Sequence, residues 1–302
     1  MRQRARIRFL ADGRRLHLHD GPIDLIVEAF GASSEVTAAY RAAGQRFITV
    51  LDELCGELGF LRQPATKNSA RPSGRVARRM HEAVIPYCEQ TFITPMAAVA
   101  GAVAEEITAS MTSAANLSKA YVNNGGDISL HVAPGENLVV GMVERPNRPS
   151  LFGMARIEST QPVRGVATSG WRGRSFSLGI ADAVTVLAES ASVADAAATV
   201  IANAVDLPGH GSITRVRACD LNPDSDLGNR LVTQSVGDLL DCEISTALDS
   251  GVDVARSLLS DGLIQAAALC LSGNTRIVGG KLETQLAGSP QLVQSDRSFI
   301  HA

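Results

Sequence analysis

The stretch YVNNGGDISL, residues 121 to 130, restricts the fold more than any other. Tyr121, Val122, Ile128 and Leu130 favour pleated structure, yet Asn-Asn-Gly-Gly-Asp interrupts them. Gly125 and Gly126 allow backbone conformations closed to other residues and let a ligand approach bare peptide. Asp127 adds one directed acceptor. Two readings follow: a strand, a turn and a strand with a capping aspartate, or a turn whose amides and carboxylate hold something, such as the phosphates of a nucleotide.

The segments around it decide the fold class. RARIRFL and RRLHLH alternate on either side of Ala11-Asp12-Gly13, which predicts a hairpin with one wet face, His17 and His19 sharing a side. Residues 34 to 58 repeat apolar side chains at helical spacing through Val36, Tyr40, Phe47, Val50, Leu51 and Leu54. RQPATKNSARPSGR then reads as a loop or lid whose Arg62, Lys67, Arg71 and Arg75 either meet phosphates or are simply solvated. A helix pair follows, with Thr94-Pro95 as an N-terminal signal, and the Ala- and Gly-rich run after it suits close approach to neighbouring elements.

AYVNN, DISLHV, NLVVGMV, LFGMARI and RGVAT read as strands, as does ADAVTVLA, with a helix from Ser192 onward. SITRVRA is strand-like, STALDSGVDVARSLLS helical, and IQAAALCLSGNTRIVGG a closing hairpin. Regular strand-helix alternation is missing. The expectation is therefore an α+β fold with a mixed, mainly antiparallel sheet packed with helices. It would be one domain over 1–302, or two interlocked halves of about 1–120 and 121–302.

Composition narrows the function classes. The 302 residues are 45% apolar, enough for a substantial core. Against 31 acidic residues stand 28 basic ones, and aromatics reach 4%, so neither a global field nor stacking platforms recruit nucleic acid. No run approaches the ~20 apolar residues of a membrane span, and the N-terminus lacks the apolar core of a signal peptide. Five scattered cysteines without metal-ligand spacing predict buried free thiols in a reducing cytoplasm. The Ala-rich helix and apolar strands suggest flat surfaces, hence a homo-oligomer.

Two segments offer chemistry besides the Gly-Gly-Asp turn, and a third is set aside. In SVADAAATVIANAV, Ser192 can cap a helix with Asp195 in its first turn and Thr199 one turn later on the same face. A carboxylate and a hydroxyl so placed suit magnesium, which takes few protein oxygens and completes its shell with water and phosphate. Ordinary charge placement at a helix start accounts for the same residues. GVATSGWRGRSFSLG supplies hydroxyls at Thr168 and Ser169 beside Gly170, and the forked donors of Arg172 and Arg174. DLNPDSD lacks the glycine and glutamate of a calcium loop.

In order, NNGGDI, GVATSG, and ADAVTVLA running into SVADAAATVIANA resemble the ApbE-like superfamily, whose founding members are FAD:protein FMN transferases. The UPF-type bacterial and archaeal branch is the nearer likeness, through MAAVAGAVAEE, DSDLG and VTVLAE, over roughly residues 92 to 280. The resemblance implies an ApbE-like, T-fold-like sheet. It also implies that Asn124, Gly125, Gly126 and Asp127 contact FAD or another nucleotide, that Thr168, Ser169, Gly170 and Arg174 line its phosphate region, and that Asp195 and Thr199 bind magnesium. The flavin transferases carry a His-x-x-Asp-Pro-x-Thr-Gly segment before the following strand, whereas this chain has WRGRSFSLGI and no histidine between His131 and His210. The expectation is an enzyme that binds a phosphorylated or nucleotide-like small molecule with magnesium, without flavin transfer. A biosynthetic step for a pterin-like one-carbon cofactor and a non-catalytic flavin-binding protein are the alternatives.

Overall fold

Leu16 and Leu18 point inward while His17 and His19 alternate outward near the edge of the long sheet, whereas its strands at Ala183–Ala188 and Ala266–Leu271 are buried at every position. The structure, a computed structural model, describes residues 5–143, 151–279 and 299–301. Its strands are β1 (Arg6–Phe9), β2 (Leu16–Asp20), β3 (Ile23–Phe30), β4 (Lys119–Asn124), β5 (Asp127–Val132), β6 (Asn137–Val143), β7 (Leu151–Glu158), β8 (Gly165–Ser169), β9 (Ala183–Ala188), β10 (Ile213–Arg217), β11 (Leu231–Val236), β12 (Ala266–Leu271), β13 (Asn274–Val278) and β14 (Phe299–His301). The α-helices are α1 (Ser33–Gly56), α2 (Leu58–Leu61), α3 (Arg75–Val84), α4 (Val99–Ala114), α5 (Ala191–Ala204), α6 (Ala218–Leu221) and α7 (Asp241–Ser260), with short 3-10 turns at Ile85–Tyr87 and Pro95–Ala98.

Among the described residues nine strands form one sheet in the order β1-β2-β3-β4-β5-β8-β9-β12-β13. Each neighbouring pair in it is antiparallel. β6 and β7 form a second sheet with β14, which pairs parallel to β6. The fold is thus α+β with a mainly antiparallel mixed sheet and packed helices. β3 was missed in the sequence, although Ile23, Leu25, Val27 and Ala29 alternate along it. β11 was missed as well.

Three apolar clusters hold these layers. α1, α3 and α4 pack on one face of β2 to β4 through Phe47, Val50, Met80 and Ile107. α5 and α7 cover the same sheet over β8, β9 and β12 through Ile201, Leu248 and Leu269. The opposite face, at Ile128, Leu130 and Val166, is closed by Leu138, Val140 and Ile157 of β6 and β7.

Buried charge ties the helices of the first half together. Glu106, 1% exposed, accepts from Arg46 and Arg79 and faces Arg75, and Arg79 also reaches Glu105. Burial acts to raise the Glu106 pKa, but the two guanidinium bonds outweigh it and hold the carboxyl below its usual range. Two cations of the 62–75 stretch pair as well, Lys67 with Glu89 and Arg71 with Glu82. Both pairs are exposed at the surface. Arg75 belongs to α3, not to the loop. Burial of the thiols is corrected as well, since Cys55 and Cys242 are exposed and only Cys270 is buried. No helix among the described residues is long and apolar enough to cross a membrane.

Candidate functional site

β4 and β5 pair with Asn124 opposite Asp127, so the Asn-Asn-Gly-Gly-Asp run is a two-residue hairpin turn. Gly125 and Gly126 take φ of 69° and 114°, the region that favours glycine. Asn123 Oδ1 accepts the Gly126 amide at 2.8 Å, and Asn124 Nδ2 donates to the Ala100 carbonyl at 3.1 Å. Asn124 therefore fixes the turn to the start of α4.

Asp127 lies beside β8, whose Thr168 amide donates to Asp127 Oδ1 at 3.3 Å. The Thr168 hydroxyl is occupied by Thr185 at 2.8 Å. Thr168 thus offers its amide rather than its side chain. Arg174 reaches back over the turn: its Nη2 donates to the Pro22 carbonyl at 3.1 Å, and Nη1 would lie 2.9 Å from a Cβ placed on Gly125.

Two close approaches bring α5 to the same place. A Cβ on Gly165 would fall 2.1 Å from the Ser190 carbonyl, and one on Gly101 would fall 2.2 Å from the Ala191 carbonyl. Only glycine lets α5 sit this close to β8 and to α4. The N-cap of α5 is Ser190, whose hydroxyl accepts from the Val193 amide. Ser192, expected to cap the helix, instead lies inside its first turn and donates its hydroxyl to Glu105 at 2.8 Å. Asp195 receives the Gly101 amide on Oδ2 at 2.9 Å, with the Ala100 amide also directed at it.

Electrostatics mark the two aspartates as neighbours. Both keep some surface exposure, yet surrounding atoms strip most of their water. Desolvation pushes Asp127 up to about 7, opposed by the Thr168 amide and the charge of Arg174. Asp195 is raised well above the usual carboxylate range, by desolvation first and the Asp127 charge second, against the Gly101 and Ala100 amides. The Gly-Gly-Asp turn, the end of β8 and the first turns of α5 therefore lie against one another.

The family model described as AbpE bacteria matches residues 7–277. The chain belongs to that family. Among curated relatives of this AbpE chain, the UPF0280 protein of Methanopyrus kandleri is 43% identical over 129 residues, covering 42% of this chain and 48% of that protein. The UPF0280 protein of Methanococcus vannielii is 42% identical over 118 residues, 38% of this chain and 47% of the relative. The match spans about half the length of these relatives. Among solved structures, flavinyl transferase ApbE of Pseudomonas stutzeri, in its apo form, aligns with a TM-score of 0.37 at 11% identity, over 92% of this chain and 97% of that one. Flavin transferase ApbE of Vibrio cholerae aligns with a TM-score of 0.34 at 13% identity, over 92% and 98%. The resemblance drawn from NNGGDI, GVATSG and VADAAAT to the UPF-type branch of the ApbE-like superfamily accords with the family match.

In this AbpE chain the other arginine of the loop after β8 has a different task. Arg172 Nε and Trp171 Nε1 both donate to Asp182 Oδ1, and the Ser272 amide donates to Asp182 Oδ2 at 2.7 Å. Asp182 is 4% exposed. Arg172 is thereby committed to a structural ion pair, while the charge of Arg174 acts on Asp127. Gly170 packs against the Asp182 and Ala181 carbonyls, which would lie 2.5 and 2.8 Å from a Cβ there. Sequence reasoning passed over Asp182, whose only local signal was an acid preceding an apolar strand. Ser169 ends β8 half-buried, and Thr199 is half-buried one turn beyond Asp195.

A divalent cation has a restricted donor set here. Among the described residues no three His, Cys, Asp or Glu side chains gather as a metal cluster. Two neighbouring desolvated carboxylates do, and magnesium, which retains several waters, accepts one or two protein carboxylates together with substrate phosphate.

Proposed function

We propose that the protein binds a phosphorylated or nucleotide-like small molecule together with magnesium in the cleft between the Gly125-Gly126-Asp127 turn, the Thr168-Ser169-Gly170 segment and Asp195. The observation that supports this reading most is the pairing of Asp127 with Asp195. Two desolvated carboxylates raise each other's cost of ionisation, and a cation between them relieves it. Magnesium would be held by Asp195, with Thr199 on the same helix face and Asp127 across the cleft, and when bound it would neutralise phosphate charge.

The chain's own groups supply the rest. Arg174 brings a permanent positive charge over the turn and offers its remaining N–H donors to an anion. The bare peptide of Gly125 and Gly126 permits close approach of the ligand. Asn124 holds the turn in register with α4, so the donors are positioned before the ligand arrives. FAD or another nucleotide meets these requirements; transfer of FMN to a partner protein is not part of the proposal, because Trp171 to Asp182 contains no histidine where the transferases carry one. Self-association is part of it, and a monomeric mass at micromolar concentration would remove that part.

The test is a thermal-shift series with FAD, FMN, ADP and inorganic phosphate, each with and without magnesium. Stabilisation by at least one phosphorylated compound that needs magnesium is the expected result. Equal shifts with and without the metal for all four, or none, would overturn the proposal. A yellow protein as purified would identify flavin as the ligand.

A further inference from the structure

A cavity lies at the opposite end of β4 from the Gly-Gly-Asp turn. Six residue steps along the chain lead from Lys119 to Gly125, roughly 20 Å at the rise of a β-strand. The cavity exists because β2 begins at Leu16, opposite Val27, while β3 continues to Phe30. The last residues of β3 thus have no β2 partner, and the first turns of α1 and the tip of the β1–β2 hairpin close around them. The space measures about 570 Å³, within the range of small-molecule sites.

Its walls are already fixed. The Tyr40 hydroxyl accepts the Ala29 amide at 3.2 Å and donates to the Arg14 carbonyl at 2.6 Å, so it plugs the open strand edge. Phe9, 55% exposed, meets Tyr40 edge-on with ring centroids 5.7 Å apart. Phe30 lines the other side, with Lys119 Nζ 5.3 Å from its ring centre. Such rings receive a flat ligand.

Glu28 lines the same space and is 5% exposed. The Tyr121 hydroxyl donates to its Oε2 at 3.0 Å. Arg14 Nε lies 3.8 Å from Oε1, too long for a hydrogen bond, and the charge of Arg15 also reaches Glu28. A carboxylate this deep ordinarily gathers more donors. Arg14 and Lys119 surround it with positive charge, Lys119 lying also 3.7 Å from Glu136. That charge disfavours an organic cation as the missing partner. A neutral edge carrying two adjacent N–H donors, on a flat ring with an anionic or polar tail toward Arg14 and Lys119, meets all three conditions.

We infer that this cavity is a second small-molecule site, specific for a planar heterocycle that presents a two-donor edge of the 2-aminopyrimidin-4-one kind to Glu28. Guanine nucleotides and pterins share that edge. Titration calorimetry on the full chain distinguishes the two sources: GMP in one arm, 6-hydroxymethylpterin in the other. IMP, which lacks the exocyclic amino group, is the control.

The expected result is saturable binding of GMP or the pterin, weakened at least about tenfold by Glu28→Gln, and for GMP at least about tenfold weaker with IMP, since a missing donor leaves a buried acceptor unpaired. Phe9→Ser, at an exposed position, weakens binding by removing ring contact and keeps the inference testable should Glu28→Gln fail to fold. Asp195→Asn leaves this binding unchanged, which separates it from the magnesium-linked cleft. No saturation by GMP or the pterin up to about 1 mM, equal affinity for IMP and GMP, or undiminished binding to a folded Glu28→Gln protein would each overturn the inference.

Discussion

Asp195 accepts the Gly101 amide at 2.9 Å, so a carboxylate in the first turns of α5 sits on the positive end of α4. The relation is reciprocal, because Ser192 at the start of α5 donates to Glu105 of α4. Two helix starts cross at Gly101 and Ala191, each answered by an acid from the other. One oxygen of Asp195 thereby serves the fold.

Asp195→Asn separates that role from the proposed binding of magnesium. Asparagine keeps a carbonyl oxygen for the Gly101 amide, so stability should change by less than about 1 kcal/mol. Magnesium-dependent stabilisation by a phosphorylated ligand should vanish, and Thr199→Val should weaken it. Thermal shifts with and without the metal measure both. A loss of roughly 0.5–1 kcal/mol with unaltered ligand binding would mean that Asp195 serves the helix terminus alone.

Gly101→Ala tests the crossing itself. The added methyl carbon would lie 2.2 Å from a backbone carbonyl that cannot rotate away. α4 and α5 must part, at a cost of roughly 1–3 kcal/mol. Because the Asp195 contact depends on this approach, the magnesium effect should fall with it. A denaturant midpoint equal to that of the wild type would show that the helices do not cross so closely.

The turn that carries Asp127 and the helix start that carries Asp195 were legible because each is a short segment with a local signature. Gly-Gly between two pleated runs demands a hairpin, and Asp195 follows a small polar helix start. Which serine caps α5 was not legible: Ser190 and Ser192 are chemically equal, and the choice is made by Glu105, which is distant in sequence and claims Ser192. Arg172 and Arg174 looked equivalent for the same reason. Asp182, brought into the interior against Ser272 and Trp171, takes the first and leaves the second. The buried Glu106 cluster likewise joins α1, α3 and α4, and no window of sequence contains it.

Asp182→Asn should therefore damage the loop that follows β8. Asparagine would turn an amide N–H toward either the Arg172 and Trp171 donors or the Ser272 amide, leaving like groups face to face. Arg172 is partly exposed, which tempers the loss, and about 2–3 kcal/mol is expected. Chemical denaturation gives the value, and a change within about 0.5 kcal/mol would contradict the structural assignment of this pair.

Asp127 supplies the pH dependence. Its carboxyl is raised from 3.8 to about 7 in the folded protein, so between those values the folded state holds a proton that the unfolded state has released. Its contribution to stability is therefore present below pH 3.8 and is lost as pH rises through about 7. Without metal, Asp127→Asn should stabilise the protein by roughly 1 kcal/mol or more at about pH 8 and make little difference at about pH 4. Urea titrations at the two pH values measure it. Destabilisation at the higher pH would show that the Asp127 charge is already compensated by the chain.

Transfer of FMN to a threonine of an acceptor protein should not occur. Between Gly170 and β9 the chain carries Arg172, locked on Asp182, and Arg174, placed over Gly125, with no histidine. Phosphoryl-group transfer rests on positioning and charge stabilisation together with a group that receives the acceptor hydroxyl's proton. Arginine remains protonated near neutral pH, so Arg174 holds an anion but accepts no proton. Incubation with FAD, magnesium and a flavin-acceptor domain, followed by in-gel fluorescence, should show no covalent flavin. A fluorescent acceptor band would mean that another residue of the cleft receives the proton, and Asp127, raised to about 7, would be the first to replace.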